Sequence, residues 1–257
     1  MTSKPMSVLI TGANRGLGLE MVKQMLETQR PLSLLFACCR DPEGPKAEGL
    51  QALAKEHPDI IKMICLDATD RSTIKKAAHQ VGSMVGKSGL NLIINNAAMA
   101  IHSPFFESTP EEMHKCFDTN AVGPMVVIQE FISLLRAAAE DFGKPGMSCR
   151  KAAVINISTI FSSNEITKES YKMFTVLPYR TSKAALNMIS VCASVELQKY
   201  GILCTMLHPG WVRTDMGGSE GEIDVHESVE GMLRVMNSLT EKHSGALLNW
   251  KGETVPW

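Results

Sequence analysis

The chain has no surplus of charge of either sign, because 26 lysines and arginines oppose 27 aspartates and glutamates, for a formal net charge of -1. A nucleic acid or an anionic membrane would select a basic excess, so the balance argues against both as partners. No run approaches the ~18 consecutive apolar residues that span a bilayer. The most hydrophobic run, 32–39, has the length of a buried strand. A small molecule is therefore the expected partner.

The sequence also contains no CxxC motif and no segment typical of a signal peptide. The seven cysteines form no CxxC pair, and Cys38 is adjacent to Cys39, so we expect neither a disulfide framework nor a metal site. The amino-terminal residues pass from a short apolar run directly into a glycine-rich loop, without the long apolar core and cleavage site of a signal peptide. We therefore expect reduced thiols and a cytoplasmic protein.

The sequence does contain a regular alternation of strand-like and helix-like segments. Runs rich in Val, Ile and Leu predict strands at 7–11, 32–39, 60–66, 90–94, 152–158, 202–208 and 246–249. Amphipathic stretches predict helices at 17–27, 46–56, 72–85, 110–142 with a break near Gly123-Pro124, 179–200 and 225–238. Loops are expected at 41–45, 143–150, 161–178 and 217–222. Strands that are apolar throughout and alternate with helices predict a doubly wound, mainly parallel α/β sheet with helices on both faces.

A glycine-rich loop, TGANRGLG at 11–18, follows the first predicted strand and opens the first predicted helix. Gly12 permits a sharp turn, while Gly16 and Gly18 let backbone amides and the helix amino terminus approach a pyrophosphate. A glycine pattern alone can be an ordinary turn, but its position after the first strand favours a dinucleotide site. The whole chain, 1–257, is thus predicted to be one Rossmann-fold domain with seven strands.

The end of the second predicted strand, ACCRD, favours NADP(H) over NAD(H). An NAD site usually has an acidic residue here, whose carboxylate accepts from the ribose 2′-hydroxyl. In this chain Arg40 and Arg15 can instead flank a 2′-phosphate. Asp41 argues against this prediction, because a carboxylate that faces the ribose would favour NAD(H).

Tyr179 and Lys183 form the candidate catalytic pair. They are four residues apart in YRTSK, so on a helix they share one face. A nearby ammonium lowers the pKa of a phenol, and a tuned tyrosine can donate the proton that a carbonyl needs as hydride arrives. Ser158 ends the strand before this helix, where its hydroxyl can lie beside Tyr179. Tyr171 has no lysine four residues later, which leaves Tyr179 as the candidate.

Six sequence motifs, taken together and in order, are specific enough to indicate a protein family. In chain order they are TGANRGLG (11–18), NNAA (95–98), TNAVGP (119–124), INIS (155–158), YRTSKAAL (179–186) and HPGWVRTDMGG (208–218). The chain resembles the short-chain dehydrogenase/reductase family in this order of motifs, over nearly its whole length. The last motif and the ending GALLNWKGETVPW are most similar to the sniffer and C-factor-like carbonyl reductase branch.

The resemblance implies a role for each matching residue. Tyr179 would be the general acid in reduction, Lys183 would lower its pKa and bind the nicotinamide ribose, and Ser158 would polarise the substrate carbonyl. Asn120 would hold a water that connects Lys183 to solvent. Asp67 would contact adenine, Asn95 would support the fourth strand beside the cofactor, and Thr214 would anchor the carboxamide. The full set implied to bind NADP(H) is Gly12, Asn14, Arg15, Gly16, Leu17, Gly18, Arg40, Asp67, Ala68, Asn95, Ala97, Tyr179, Lys183, Pro209, Gly210, Val212 and Thr214.

The sequence departs from the family pattern in two places. Ala98 replaces the usual glycine of the NNAG motif, which slightly crowds the backbone near the cofactor, and we expect the fold to accommodate it. The gap between Ser158 and Tyr179 is also longer than usual. The insert NEITKESYKMF lies where the rim of the active site is expected, as a wall of the pocket, a lid, or an obstacle to dimerisation.

The expected function is NADPH-dependent reduction of a small ketone, aldehyde or quinone. Two alternatives stay open: a catalytically idle sensor or scaffold on the same fold, and an NAD-dependent alcohol dehydrogenase, for which Asp41 is the only support. The resemblance also implies a homodimer or homotetramer through the helices around 110–142 and 179–200. The substrate would be selected by the loops 161–178 and 217–226, which carry no diagnostic motif.

Overall fold

A seven-stranded parallel sheet forms the centre of the computed structural model, which describes residues 4–28 and 32–257. The strands lie in the order β3-β2-β1-β4-β5-β6-β7, and every neighbouring pair is parallel. They are β1 (Met6–Thr11), β2 (Leu32–Cys39), β3 (Ile61–Cys65), β4 (Leu92–Asn95), β5 (Ala153–Ile157), β6 (Leu203–His208) and β7 (Leu247–Asn249). The predicted doubly wound α/β fold is confirmed.

Helices connect these strands and cover both faces of the sheet. They are α1 (Gly16–Glu27), α2 (Glu48–Glu56), α3 (Arg71–Val85), α4 (Pro110–Phe117), α5 (Gly123–Phe142), α6 (Asn164–Ser170), α7 (Leu177–Gln198) and α8 (Val225–Ser238). Short 3-10 turns occur at Pro45–Ala47, Gly86–Ser88, Ile160–Ser162 and Glu241–His243. Alternate residues of β1 enter two separate cores, so that Val8 and Ile10 pack with α1 and α8, whereas Leu9 packs with α3 and α5.

The order of the strands reverses at β1, which lies between β2 and β4. In open α/β sheets the ligand crevice lies at such a reversal, outside the carboxyl ends of the strands. Thr11, Asn95, Ser158 and His208 all lie at or directly beyond the carboxyl ends of their strands. The fold therefore gathers the predicted dinucleotide loop and the predicted catalytic serine at one edge of the sheet.

The helix expected at 110–142 runs without a non-helical gap, and the expected break near Gly123-Pro124 takes the form of a change from π- to α-helical hydrogen bonding at Gly123. A five-residue π-helical segment, Asp118–Val122, joins α4 to α5. Pro124 follows the π-helical segment closely, so its missing backbone N–H coincides with the change in the hydrogen-bond pattern of the helix. Gly123 is required by packing, since a Cβ there would lie 2.6 Å from the carbonyl oxygen of Ala68.

This continuous helix is apolar as well as long. Within the described part of the chain, Pro110–Phe142 is the one helix that could cross a membrane by length and composition. Of its most apolar 18-residue window, 44% is buried inside the fold. Phe131 and Leu135 of α5 belong to the core beneath the sheet, and a core helix of this kind passes the same test.

The segment 161–178, expected as a loop, contains α6. Ser163 caps this helix by accepting a hydrogen bond from the backbone N–H of Ile166 (3.2 Å). The helix has only seven residues, too few for a helix to be stable alone. The side chain of Arg180, in the first turn of α7, donates hydrogen bonds to Thr167 and Ser170 and so stabilises this helix. Contacts of this kind leave no periodic pattern in the sequence, which is why a loop was predicted.

Candidate functional site

One face of α7 carries a row of polar side chains that meets the end of β5. The row comprises Tyr179, Lys183 and Asn187, each four residues from the last. The buried Lys183 ammonium donates to the carbonyl of Ile157 (2.6 Å). The Ser158 hydroxyl donates to the Asn187 side-chain oxygen (2.7 Å). The structure therefore brings Ser158 and Lys183 to the same short stretch of β5, with Tyr179 in the adjoining turn of α7.

Burial moves the pKa values of the two candidate catalytic groups in opposite directions. It raises the pKa of Tyr179 to about 12, although a hydrogen bond with the Thr159 hydroxyl acts to lower it. It lowers the pKa of Lys183 to about 7. The sequence predicted a lowered tyrosine pKa, and the structure differs because the loss of water around the phenol outweighs the hydrogen bond with Thr159. The phenol therefore keeps its proton at neutral pH.

Asn120 lies in the π-helical segment and is completely buried. Its side-chain oxygen accepts from the backbone N–H of Met99 (2.9 Å). Its amide nitrogen donates to the Met99 carbonyl (2.8 Å) and to the Ser182 hydroxyl (3.0 Å). These bonds attach the segment after β4 to α7 next to Lys183. The water-holding role expected for Asn120 stays a prediction.

The glycine loop packs closely on itself and on the segment after β4. Gly12 has a φ of +65°, which favours glycine, and a Cβ there would lie 3.0 Å from Cα of Ala97. A Cβ at Gly18 would overlap the Gly12 carbonyl and lie 2.7 Å from the Asn96 side-chain nitrogen. Asn96 itself donates to the carbonyls of Thr11 (3.0 Å) and Gly12 (3.1 Å). The loop is a cradle that fits a dinucleotide pyrophosphate at the amino terminus of α1.

Three charged residues surround the expected ribose end of this cradle. Arg40 is exposed at the end of β2. The Asp41 carboxylate lies over its own loop, where a Cβ at Gly44 would overlap it. Arg15 pairs with the exposed Asp215 (2.8 Å) across the opening of the glycine loop. The chief argument for NAD is weakened, because Asp41 faces the turn at Gly44.

The other residues expected near the adenine and the nicotinamide make local contacts. Asp67 accepts from the backbone N–H (2.9 Å) and hydroxyl (2.8 Å) of Thr69, which shapes the turn after β3. Asn95 donates to the side-chain oxygen of Asn156 (2.8 Å), and its own side-chain oxygen is buried without a partner among the described groups. Such an unpaired acceptor can take a hydrogen bond from a ligand or a water.

The loop after β6 packs against the carboxyl-terminal segment. Gly210 has a φ of +90°, and a Cβ there would lie 3.0 Å from the indole nitrogen of Trp250. The Pro209 carbonyl accepts from Ser228 of α8 (2.6 Å). Thr214 accepts from the backbone N–H of Gly217 (3.0 Å), so it caps a turn of this loop. A Cβ at Gly16 would lie 4.0 Å from the Thr214 methyl group, which brings this loop next to the glycine cradle.

The insert is held by Arg180, the residue after the candidate catalytic tyrosine. The buried guanidinium donates to the Phe174 carbonyl (3.3 and 3.2 Å) and to the Ser170 hydroxyl (3.2 Å). It also lies over the Phe161 ring, 4.3 Å from the centroid. Phe174 in turn touches both Phe161 and Trp211, with ring centroids 5.1 Å apart in each pair. Phe174 of the insert therefore joins Phe161 and Trp211 in an aromatic wall that Arg180 attaches to the first turn of α7.

Sequence reasoning missed several residues of this site, including Asn96, Asn187 and Arg180, because each of them acts through contacts between distant segments. His208 was missed as well. It is buried at the end of β6, its Nδ1 has no partner among the described groups, and burial lowers its pKa to about 4. By register it lies beside Ser158, since Leu207 pairs with Ile157. The site thus contains a neutral imidazole that begins the motif at 208–218 but to which the sequence analysis assigned no role.

A family model described as short chain dehydrogenase matches residues 6–224. The chain belongs to the short-chain dehydrogenase family. Family membership confirms the resemblance stated from the six motifs and makes the protein an oxidoreductase by family. The matched range contains all four residues expected to be catalytic, whose individual roles stay predictions.

Solved structures within this family are closely similar. The NADPH-bound carbonyl reductase from chicken fatty liver is 43% identical, with a TM-score of 0.94 over 99% of this chain and 100% of that one. Carbonyl reductase Sniffer of Drosophila melanogaster is 34% identical, with a TM-score of 0.93 over the same shares. Among curated proteins, the C-signal of Myxococcus xanthus is 32% identical over 65% of this chain and 93% of its own length.

The contribution of Lys183 to the free energy of unfolding is expected to rise with pH between about 7 and 10. The folded-state pKa of Lys183 is about 7 against an ordinary value of 10.5, so the unfolded chain binds more protons in this range. One such group adds up to about 1.4 kcal/mol per pH unit. Urea unfolding of the ligand-free protein at successive pH values measures this slope. Lys183→Met should reduce it, whereas Lys199→Met, at the exposed end of the same helix, should not; equal slopes in all three proteins would contradict the prediction.

Loss of the Arg180 guanidinium is expected to loosen the insert. Arg180→Met keeps the aliphatic stem but removes the bonds to Phe174 and Ser170. Hydrogen bonds of a charged group contribute about 1.5–3 kcal/mol, so opening of the segment should become at least about 10-fold more frequent. Limited trypsin digestion at Lys168 and Lys172 measures this opening. Arg136→Met, which removes a stacking contact with Tyr200 elsewhere, is the control, and unchanged cleavage in Arg180→Met would refute the anchoring role.

Proposed function

We propose that this protein is a cytoplasmic NADP(H)-dependent carbonyl reductase that acts on a small ketone, aldehyde or quinone. The observation that carries the proposal is the row on α7, in which Tyr179 and Lys183 adjoin Ser158 at the carboxyl edge of the sheet beside the glycine cradle. The similarity to the chicken and Drosophila carbonyl reductases supports it.

The residues present fit NADP(H). Gly12, Gly16 and Gly18 would admit the pyrophosphate, and Arg40 would contact the 2′-phosphate, joined by Arg15 if that side chain leaves Asp215. Lys183 would contact the nicotinamide ribose, and the unpaired Asn95 oxygen would accept a hydrogen bond nearby. When bound, the reduced cofactor supplies a hydride to the carbonyl carbon.

Tyr179 supplies the proton in this proposal. Its raised pKa keeps the phenol protonated at neutral pH, so the proton is available at Oη when negative charge develops on the carbonyl oxygen. The Lys183 ammonium, held by the Ile157 carbonyl, stabilises the phenolate that remains. Ser158 would hydrogen-bond the reacting oxygen and orient the substrate. The tyrosine then regains a proton before the next turnover.

The wall of Phe161, Phe174 and Trp211 favours an apolar carbonyl compound. Dehydrogenation of an alcohol with NAD is disfavoured, since its only support was Asp41, which lies over Gly44. We also propose that a second copy of the chain packs on α4 and α7. Phe117, Met188 and Val195 of these helices are exposed apolar residues.

The preference for NADPH is expected to depend on Arg40. Arg40→Ala should raise the Kd for NADPH by about 10-fold to 100-fold, because it removes a charge-assisted hydrogen bond to the 2′-phosphate. The Kd for NADH, which lacks this phosphate, should stay unchanged. Titration of the nicotinamide fluorescence measures both constants. Asp41→Asn is the matched neighbour and should alter neither. Equal losses for the two cofactors would mean that Arg40 does not contact the 2′-phosphate.

Tyr179→Phe should lower kcat for carbonyl reduction by at least about 100-fold, because general acids contribute roughly 10²–10⁴. NADPH binding should be retained, because the ring stays. Tyr171→Phe is the control, since its buried hydroxyl has no partner among the described groups, and it should keep full activity. Tight NADPH binding by a wild-type protein that reduces no carbonyl would instead favour the sensor function, and turnover retained in Tyr179→Phe would exclude tyrosine as the donor.

A further inference from the structure

An ion pair crosses the opening of the glycine cradle. The Arg15 guanidinium donates to the Asp215 carboxylate (2.8 Å). Arg15 is the N-cap residue of α1, and Asp215 lies 200 residues further along the chain, in the loop after β6. A second observation places the two segments side by side, since a Cβ at Gly16 would lie 4.0 Å from the Thr214 methyl group. The pair therefore joins the amino terminus of α1 to the loop after β6.

The ion pair can open without leaving a buried charge. The Asp215 side chain is 84% exposed, so water solvates its carboxylate when Arg15 leaves. The cation nearest to Asp215 in sequence, Arg213, is held elsewhere, because it donates to the Gly221 carbonyl (2.9 Å) and lies 4.0 Å from the Asp224 carboxylate. Arg15 is thus the partner that the structure gives to Asp215, and either member of the pair is free to exchange it for another ligand.

The bond to Asp215 turns Arg15 away from the expected position of the 2′-phosphate. In the sheet β1 lies between β2 and β4, so the glycine loop has the end of β2 on one side and the ends of β4, β5 and β6 on the other. Arg40 directly follows β2, whereas Asp215 belongs to the loop after β6. A guanidinium that bonds Asp215 is therefore directed toward the side of the glycine loop opposite to Arg40.

We propose that Asp215 is a specificity-determining residue for the cofactor, because its carboxylate competes with the 2′-phosphate of NADPH for the Arg15 guanidinium. This inference rests on the proposed function, in which Arg15 joins Arg40 at that phosphate. NADPH can use Arg15 only in molecules whose ion pair is open, so its apparent affinity is reduced by that fraction. NADH has no such phosphate and leaves the pair intact. Asp215 therefore makes the preference for NADPH over NADH smaller than the arginines alone would give.

The exposure of the pair sets the size of this effect. Water and salt screen an exposed ion pair, which shifts an equilibrium by up to about fivefold. A phosphate monoester carries more negative charge than a carboxylate, so NADPH displaces Asp215 and is not excluded by it. Competition by Asp215 should therefore weaken the binding of NADPH by about twofold to fivefold.

Asp215→Ala tests the competition directly, because it removes the carboxylate from an exposed position without disturbing the core. The Kd for NADPH should fall by about twofold to fivefold, and the Kd for NADH should stay the same. Titration of the nicotinamide fluorescence with the purified full chain measures both constants. Glu220→Ala is the matched control. It removes an exposed carboxylate from the same loop, where Glu220 accepts from Ser219, and it should change neither constant.

A double-mutant cycle shows whether Asp215 acts through Arg15. Arg15→Met keeps the aliphatic stem and should raise the Kd for NADPH without changing that for NADH. In this background Asp215→Ala should have no further effect, because the group for which it competes is absent. A gain in NADPH affinity that persists without Arg15 would mean that Asp215 merely repels the phosphate, and it would overturn the competition.

The remaining outcomes separate this inference from the proposed function, and none of them requires turnover. A wild type that prefers NADPH, together with an unchanged Kd for NADPH in Asp215→Ala, overturns the competition alone. Weaker binding of both cofactors in Asp215→Ala would mean that the pair closes over the bound cofactor, which also overturns it. A wild type that binds NADPH no more tightly than NADH overturns the proposed cofactor preference and the competition with it.

Discussion

The site depends on a buried polar contact between α7 and β5. Lys183, Asn187 and Ser190 occupy a face of the helix that a typical amphipathic helix would fill with apolar side chains. Burial of such groups is unfavourable unless each finds a partner. Their partners are the Ile157 carbonyl, the Ser158 hydroxyl and the Asn156 side chain, which belong to three consecutive residues at the end of β5. The helix can satisfy these groups in only one register.

This register explains the positions of the remaining site residues. Asn156 accepts from Asn95 through its oxygen while it donates to Ser190, so the contact extends across the sheet to β4. The Ser182 hydroxyl of α7 accepts a hydrogen bond from the side-chain amide of Asn120, which joins the π-helical segment to α7. A shift of α7 by one residue would break these bonds together. Tyr179, whose phenol bonds the Thr159 hydroxyl, is therefore also positioned by the buried turns that follow it.

The sequence predicted the sheet well because strand formation here is locally encoded. Apolar runs such as 32–39 and 203–208 cannot be accommodated except between two layers of helices, and the glycine loop identifies the first strand. The family motifs likewise indicated Ser158, Tyr179 and Lys183. These features depend on residue type and spacing, which are visible without coordinates.

Features that arise from contacts between distant segments were not visible in this way. The helix α6 depends on Arg180, and the π-helical segment depends on the bonds of Asn120 to Met99. The predicted direction of the shift in the Tyr179 pKa was wrong. The shift depends on how much water the fold removes from the phenol, and this cannot be inferred from the spacing of residues in the sequence. Asn187 reads as an ordinary helical residue until Ser158 is found 2.7 Å from it.

Tyr179 and Arg180 are adjacent in sequence and point to different parts of the site, because successive residues of a helix are rotated by about 100°. Tyr179 adjoins the end of β5, whereas Arg180 holds the insert through Ser170 and Phe174. The insert and the candidate acid thus share the first turn of α7, but the bonds that fix the register lie in later turns. The aromatic wall can therefore vary in sequence while the buried contact with β5 keeps Tyr179 in place.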